Sequence, residues 1–191
     1  MTASTTSAEF FEQKYRDHAD PWDFAGSDYE RSRYNAIIGA LGERRYERAF
    51  EPGCSVGELT WRLAMCCERV DAMDISVTAI DRAKRRCYGL SNVDLQVGGL
   101  PHQIPDGAFD LIVFSEIGYY FDEARLQELG SALVQRIPFS GTLLAVHWLG
   151  TSGDHVLSGD RVHEIIGSLD GLRLVHSERH ARFRLERWER I

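Results

Sequence analysis

The chain is expected to fold as an α/β protein, a single Rossmann-like domain. Its sheet should be seven-stranded and mostly parallel, with helices on both faces and a C-terminal antiparallel hairpin. Three observations lead there. Apolar strand-like runs alternate with amphipathic helix-like runs from residue 46 to residue 169, the pattern of βαβ units. A glycine-rich turn, Gly53–Cys54–Ser55–Val56–Gly57, separates the first strand candidate from the helix after it. The last two strand candidates, Leu172–His180 and Ala181–Ile191, lie too close in sequence for a crossover helix between them, so they should pair as a hairpin.

The elements follow from local pattern. Residues 1–7 are polar and read as a frayed end, with Ser7 a possible cap for a helix over Ala8–His18, where Phe10, Phe11 and Tyr15 share helical spacing. Asp20–Phe24 is a turn with two aromatics, Trp22 and Phe24. Tyr34, Ile37, Ile38 and Leu41 predict a helix over Tyr29–Leu41. Strands are expected at Arg48–Glu51, Arg69–Asp74, Val93–Val97, Asp110–Ser115 and Thr142–Trp148. Helices are expected at Glu58–Cys67, Ser76–Tyr88, Glu123–Ile137 and Ser158–Leu169. One domain over 1–191 results: a helical cap (1–45), a βαβ core (46–150) and a C-terminal helix with hairpin (151–191).

Composition narrows the function. The 191 residues are 43% hydrophobic and 27% charged, as in a globular protein with a substantial core. A net charge of −7 argues against a nucleic-acid partner, which needs a basic face. No apolar run approaches a membrane span and the N-terminus has no signal-peptide core. Cys54, Cys66, Cys67 and Cys87 form no C-x-x-C pair and read as reduced thiols of a cytoplasmic protein. No metal site is expected: His163–Glu164 opens like H-E-x-x-H, but Gly167 replaces the second histidine. Oligomeric state is not legible.

The glycine turn admits three readings. A dinucleotide turn, G-x-G-x-x-G, needs a glycine where this chain has Ser55, so a pyrophosphate is disfavoured. Gly53–Cys54–Ser55–Val56–Gly57 also fits G-x-S-x-G, the nucleophile elbow of α/β-hydrolases, and Ser55, Asp110 and His147 follow in a permissible order. Against that, residues 1–45 offer no strand upstream of the elbow. The third reading is a nucleoside without phosphate. A second apolar run, Val70–Asp74, ends in an acid able to accept hydrogen bonds from a ribose.

That reading has a family behind it. Glu51–Pro52–Gly53–Cys54–Ser55–Val56–Gly57 resembles the E/D-x-G-x-G-x-G loop of class I S-adenosylmethionine-dependent methyltransferases, with Ser55 for the middle glycine. Asp74, Phe109–Ser115 and Thr142–His147 are similar to that family's second, fourth and fifth strand ends. A narrower resemblance, to the nodulation protein S family of chitooligosaccharide N-methyltransferases, rests on Asp20–Phe24, Ser27–Glu30, Arg33–Tyr34, Ser115–Tyr120, His147–Trp148 and Leu157–His163. It implies S-adenosylmethionine as cofactor and the free amine of a deacetylated chitooligosaccharide as methyl acceptor, a Nod-factor type of substrate. Another small amine or hydroxyl metabolite, a Ser55 hydrolase and a non-catalytic adenosyl-binding module remain as alternatives.

The resemblance implies a cofactor set of Trp22, Arg33, Glu51, Gly53, Cys54, Gly57, Asp74, Ile75, Gly99, Leu100 and Ser115. Gly99 stands where the family often has an acid for the adenine amine, so Leu100 and backbone groups must serve there. Arg33 resembles the arginine that grips the methionine carboxylate, a role suited to a bidentate guanidinium. Glu116 sits just past the fourth strand, His147 ends the fifth, and both are candidates for orienting the amine or accepting its proton. Tyr119, Tyr120 and Trp148 are candidates for stacking on sugar faces. The lid candidates are the N-terminal helices and residues 149–157.

Overall fold

The computed structural model describes residues 7–191; the expectation for residues 1–6 lies outside them. Ser7 is no frayed end. Its hydroxyl accepts the Phe10 amide at 3.2 Å and caps the first helix. The described chain forms two compact units, residues 7–105 and 106–191, so the unit boundary falls inside the segment expected as one core.

The first unit holds α1 (Ala8–Asp17), α2 (Asp28–Leu41), β1 (Tyr46–Pro52), α3 (Glu58–Leu63), β2 (Cys67–Asp74), α4 (Val77–Arg86) and β3 (Val93–Val97). β1 and β3 both pair parallel to β2. Ile37, Leu41, Tyr46, Phe50, Leu63, Met73 and Ile80 are fully buried and supply its core. The helix expected to reach Cys67 stops at Leu63, because Cys67 already pairs with Tyr46 as the first residue of β2. Sheet register overrides helical periodicity there.

The second unit holds β4 (Leu111–Ser115), a 3-10 turn (Gly118–Tyr120), α5 (Glu123–Val134), β5 (Thr142–Trp148), α6 (Gly159–Gly167), β6 (Leu172–Arg179) and β7 (Phe183–Arg190). β4 and β5 are parallel, and their near-continuous apolar runs are buried along almost their whole length, as parallel strands covered on both faces must be. β7 lies antiparallel between β5 and β6. A bulge between Leu174 and His176 breaks the register of β6, which is why this segment alternates only in part. α5 ends at Val134, short of the expected Ile137; Pro138 keeps the residue before it out of helical backbone. The strand order is β3-β2-β1-β4-β5-β7-β6, the expected seven-stranded, mostly parallel sheet with a terminal antiparallel hairpin.

Phe50 is the largest apolar side chain of β1 and has no exposed surface. Phe50→Ala should cost about 3–5 kcal/mol, read as a fall in the urea midpoint with an unchanged slope.

Candidate active site

In the first unit the site is built at the end of β2. Asp74 is buried and its carboxylate is held by two backbone amides. Oδ2 accepts from Ser55 in the glycine turn at 2.9 Å, and Oδ1 accepts from Ser76, the cap of α4, at 2.9 Å. Burial pushes the Asp74 carboxyl up to about 6 against those amide bonds, and the Glu12 charge adds to the push. The turn is anchored on the same strand, with the Gly53 and Cys54 amides both donating to the Met73 carbonyl at 2.7 and 2.9 Å. Gly53, Ser55 and Gly57 have positive φ. At Gly57 a Cβ would also meet the Ala83 backbone of α4 at 3.0 Å, so glycine is required there.

Glu51, at the end of β1, is buried and accepts the Thr60 hydroxyl of α3 at 2.6 Å. Cys54 is a buried thiol pushed well above its ordinary range, chiefly by burial, so it is no nucleophile. Ile75 is partly exposed, and its side chain packs against Gly99. The Gly99 amide donates to Gln103 Oε1 at 2.8 Å, and Leu100 follows, half-buried.

α1 is docked onto this loop by side chains that sequence reasoning missed. The Tyr15 hydroxyl donates to Ser55 Oγ at 2.6 Å. Glu12 accepts from the Ser76 and Thr78 hydroxyls, each at 2.6 Å, and from the Thr78 amide. These bonds at the start of α4 hold the Glu12 carboxyl down to about 2, where the helix dipole also favours a negative charge. Arg82 of α4 donates to the carbonyls of His18 and Ala19 beyond the end of α1, at 2.9 Å each. Trp22 packs with Tyr15, Phe24, Val56 and Ala79, its ring stacked on Phe24. Arg33 is buried on α2, ion-paired with Glu30, with the Phe24, Tyr29 and Tyr34 rings within 5.8 Å. The sequence signal for the missed pair was weak: Glu12 and Tyr15 share helical spacing, but their partners lie 40 to 66 positions away.

In the second unit the candidates gather where β4 and β5 end. Ser115 is the last residue of β4. Glu116 follows with φ 58°, its amide donating to the Val146 carbonyl at 3.0 Å. The Tyr119 hydroxyl donates to Glu116 Oε2. Tyr119 is itself buried, stacked on His155 at 3.7 Å, so its ring is not an open stacking surface; Tyr120 and Trp148 keep partial exposure. His147 has no exposed surface. Its Nε2 accepts the Gly118 amide at 3.0 Å and its Nδ1 faces His163 Nε2 at 3.3 Å. Its Nε2 lone pair is thus already used by a backbone N–H, which disfavours the expected role of His147 as acceptor of a substrate proton. The same bonds remove it as the histidine of a triad, and Ser55 Oγ is already bonded to Tyr15.

Among the described residues, no group of three or more His, Cys, Asp or Glu could hold a metal, and no helix is long and apolar enough to cross a membrane. None of the four cysteines forms a disulfide, and the Cys66 and Cys67 sulfurs lie 4.0 Å apart.

Glu51 provides a pH test of this burial. Burial pushes its carboxyl up to about 8, against the Thr60 hydrogen bond and reinforced by the Asp74 charge. An unfolded chain ionises such a group near about 4.3, so between there and pH 8 the folded chain holds a proton that the unfolded one has lost. Stability should fall as pH rises through that window and level off above it. Glu51→Gln removes the effect: its urea midpoint relative to wild type should be higher at pH 8 and nearly equal at pH 4.

Known proteins with this architecture narrow the identity. A protein from Rhizobium tropici, nodulation protein S, is 32% identical over 105 residues, covering 54% of this chain and 44% of its own length. The chain thus spans about half the length of that relative. The crystal structure of the N-methyltransferase NodS from Bradyrhizobium japonicum WM9, in complex with S-adenosyl-L-homocysteine, superposes with a TM-score of 0.84. It is 22% identical over 97% of this chain and 99% of that one, a likeness of fold. A candidate methyltransferase from Pseudomonas syringae is 35% identical, with a TM-score of 0.76 over 85% of this chain and 99% of its own. The family model for nodulation protein S (NodS) matches residues 5–150, most of the chain, so the protein whose glycine turn and Asp74 are described above belongs to the nodulation protein S family.

Proposed function

We propose that the chain transfers a methyl group from S-adenosylmethionine to the free amine of a deacetylated chitooligosaccharide. The observation that carries the cofactor half is the Asp74 carboxylate, held by the Ser55 and Ser76 amides at the end of β2. The Ser55 and Ser76 amides each bond one oxygen, the Ile75 amide adds to them, and a carboxylate oxygen can accept more than one hydrogen bond. Two ribose hydroxyls complete such a set. The turn suits a ligand without phosphate, since Ser55 occupies the position where a pyrophosphate would need glycine. Leu100, Ile75 and the Gly99 backbone serve the adenine. Arg33, oriented by Glu30, serves the methionine carboxylate.

The family assignment supports the reaction and the acceptor class. The amine lone pair attacks the methyl carbon in line with the carbon–sulfur bond. That bond breaks with its electron pair passing to sulfur, giving a neutral thioether and a cationic nitrogen, which then loses a proton. The protein's contribution is alignment and stabilisation of the growing positive charge. Glu116, with the Tyr119 hydroxyl fixing one of its oxygens, is the group that orients the amine and receives the proton. Tyr120 and Trp148 contact the sugar faces. The same proposal places the enzyme in the cytoplasm, where cofactor and free thiols coexist.

The test is radiolabelled methyl transfer against chitosan oligomers and simple amines. Transfer to the amino sugar is expected; transfer confined to a simple amine or hydroxyl acceptor would replace the substrate. Asp74→Asn should weaken cofactor binding by about 10- to 150-fold, the worth of a hydrogen bond to a charged group. With Asp74 titrating at about 6, wild-type affinity should fall from pH 7 to pH 5 and the variant's should not, as calorimetry would show. Over that range Glu12 stays charged. Glu116→Gln should lower kcat by roughly 100-fold, within the usual range for acid–base groups, and leave cofactor affinity unchanged.

A further inference from the structure

Behind the turn that carries Glu116 lies a buried line of polar groups with no part in the reaction as described. The Gly118 amide donates to His147 Nε2 at 3.0 Å. His147 Nδ1 lies 3.3 Å from His163 Nε2, and His163 Nδ1 lies 2.8 Å from Glu186 Oε2. Arg184 and Ser177 both donate to the other oxygen, Glu186 Oε1, at 2.8 and 3.2 Å. His147, His163 and Glu186 are all buried.

Hydrogen-bond polarity orders this line. A backbone N–H only donates, so His147 Nε2 must accept and, in a neutral ring, Nδ1 carries the proton. His147 Nδ1–H then donates to His163 Nε2, which leaves the His163 proton on Nδ1, pointing at Glu186. Burial pushes the His163 imidazole down despite Glu186 beside it, favouring the neutral ring. Glu186 is held below its ordinary range because the bonds from His163 and Arg184 outweigh its burial. The carboxylate thus sets both tautomers.

The end of the line touches the chemistry. Gly118 is packed so closely that a Cβ there would meet His147 Nε2 at 2.8 Å and the Phe114 ring at 2.9 Å. Two residues before it, Glu116 has left-handed backbone, which a non-glycine residue keeps only where its surroundings impose it. The next residue, Tyr119, donates to Glu116, and its carbonyl takes the Val156 and Leu157 amides.

We propose that Glu186, His163 and His147 form a tautomer-setting relay that docks the Gly118 amide and so positions Glu116 and Tyr119 toward the methyl acceptor. These are positioning residues; none of the three touches substrate. The consequence for turnover rests on the reading of Glu116 given above, whereas the relay itself does not.

Glu186→Gln is the discriminating variant. Arg184 can only donate and so demands an acceptor at Oε1, and the new amide therefore presents N–H to His163 Nδ1. Both rings must then invert, setting His147 Nε2–H against the Gly118 N–H. Long-range proton–nitrogen NMR of the wild-type histidines should show both rings neutral with the proton on Nδ1, and a coupling across the hydrogen bond from the Gly118 amide to His147 Nε2. A proton on Nε2 of either ring, or an imidazolium at neutral pH, overturns the relay. In the variant both protons should move to Nε2, and the Gly118 amide and the stacked Tyr119 and His155 ring signals should shift. kcat should fall by roughly tenfold or more with KM for S-adenosylmethionine nearly unchanged. Inverted rings with unshifted Tyr119 signals, or with wild-type turnover, overturn the positioning role. Should the variant not fold, the wild-type tautomers and the Gly118 coupling still decide. Should wild type methylate no amine, the functional reading fails while the NMR arms still judge the relay.

Discussion

Much of the loop geometry in the first unit depends on one carboxylate accepting backbone amides. Asp74 joins the glycine turn, through Ser55, to the first turn of α4, through Ser76. A buried acid is costly unless hydrogen-bonded, and these two amides are what make the position tenable at the end of a parallel strand. In return, two backbone segments that make no β-ladder bond are held at a set distance from each other. The left-handed backbone of Ser55 is consistent with that constraint.

The same spot recruits α1. Glu12 occupies the start of α4 and bonds the Ser76 hydroxyl, while Tyr15 reaches Ser55. Cap, turn and acid therefore share partners: Ser55 bonds Asp74 through its amide and Tyr15 through its hydroxyl, and Ser76 bonds Asp74 and Glu12 in the same way. Effects within such a network are not additive. A helix with few apolar anchors of its own, only Tyr15 being fully buried, is held over the loop chiefly by hydrogen bonds and the aromatic packing of Tyr15 with Trp22.

In the second unit the organising constraint is also one of donors and acceptors. A buried backbone N–H needs an acceptor. At Gly118 that acceptor is a histidine nitrogen rather than a carbonyl, so the protonation pattern of two rings becomes coupled to backbone position. Residues that look like spare acid–base chemistry are thereby engaged structurally, and Glu116 is left as the acidic group beside the turn.

The alternation of apolar runs, the turn glycines and the close spacing of the last two strands were enough to determine the architecture. β3 and β5 fall where their patterns place them, at Val93–Val97 and Thr142–Trp148, because strand pairing follows from local periodicity. Asp74 and the Gly53–Gly57 turn were legible for the same reason, being adjacent to strand ends. Tertiary structure alone decided which polar groups were already taken. His147 stands at a strand end in sequence exactly as a catalytic base would, and only the approach of Gly118 and of His163, 16 positions on, shows its lone pair to be used. Glu12, Tyr15, His155 and Glu186 gave no local signal of their partners, since a side-chain hydrogen bond depends on distance and direction between segments remote in sequence, which periodicity does not encode.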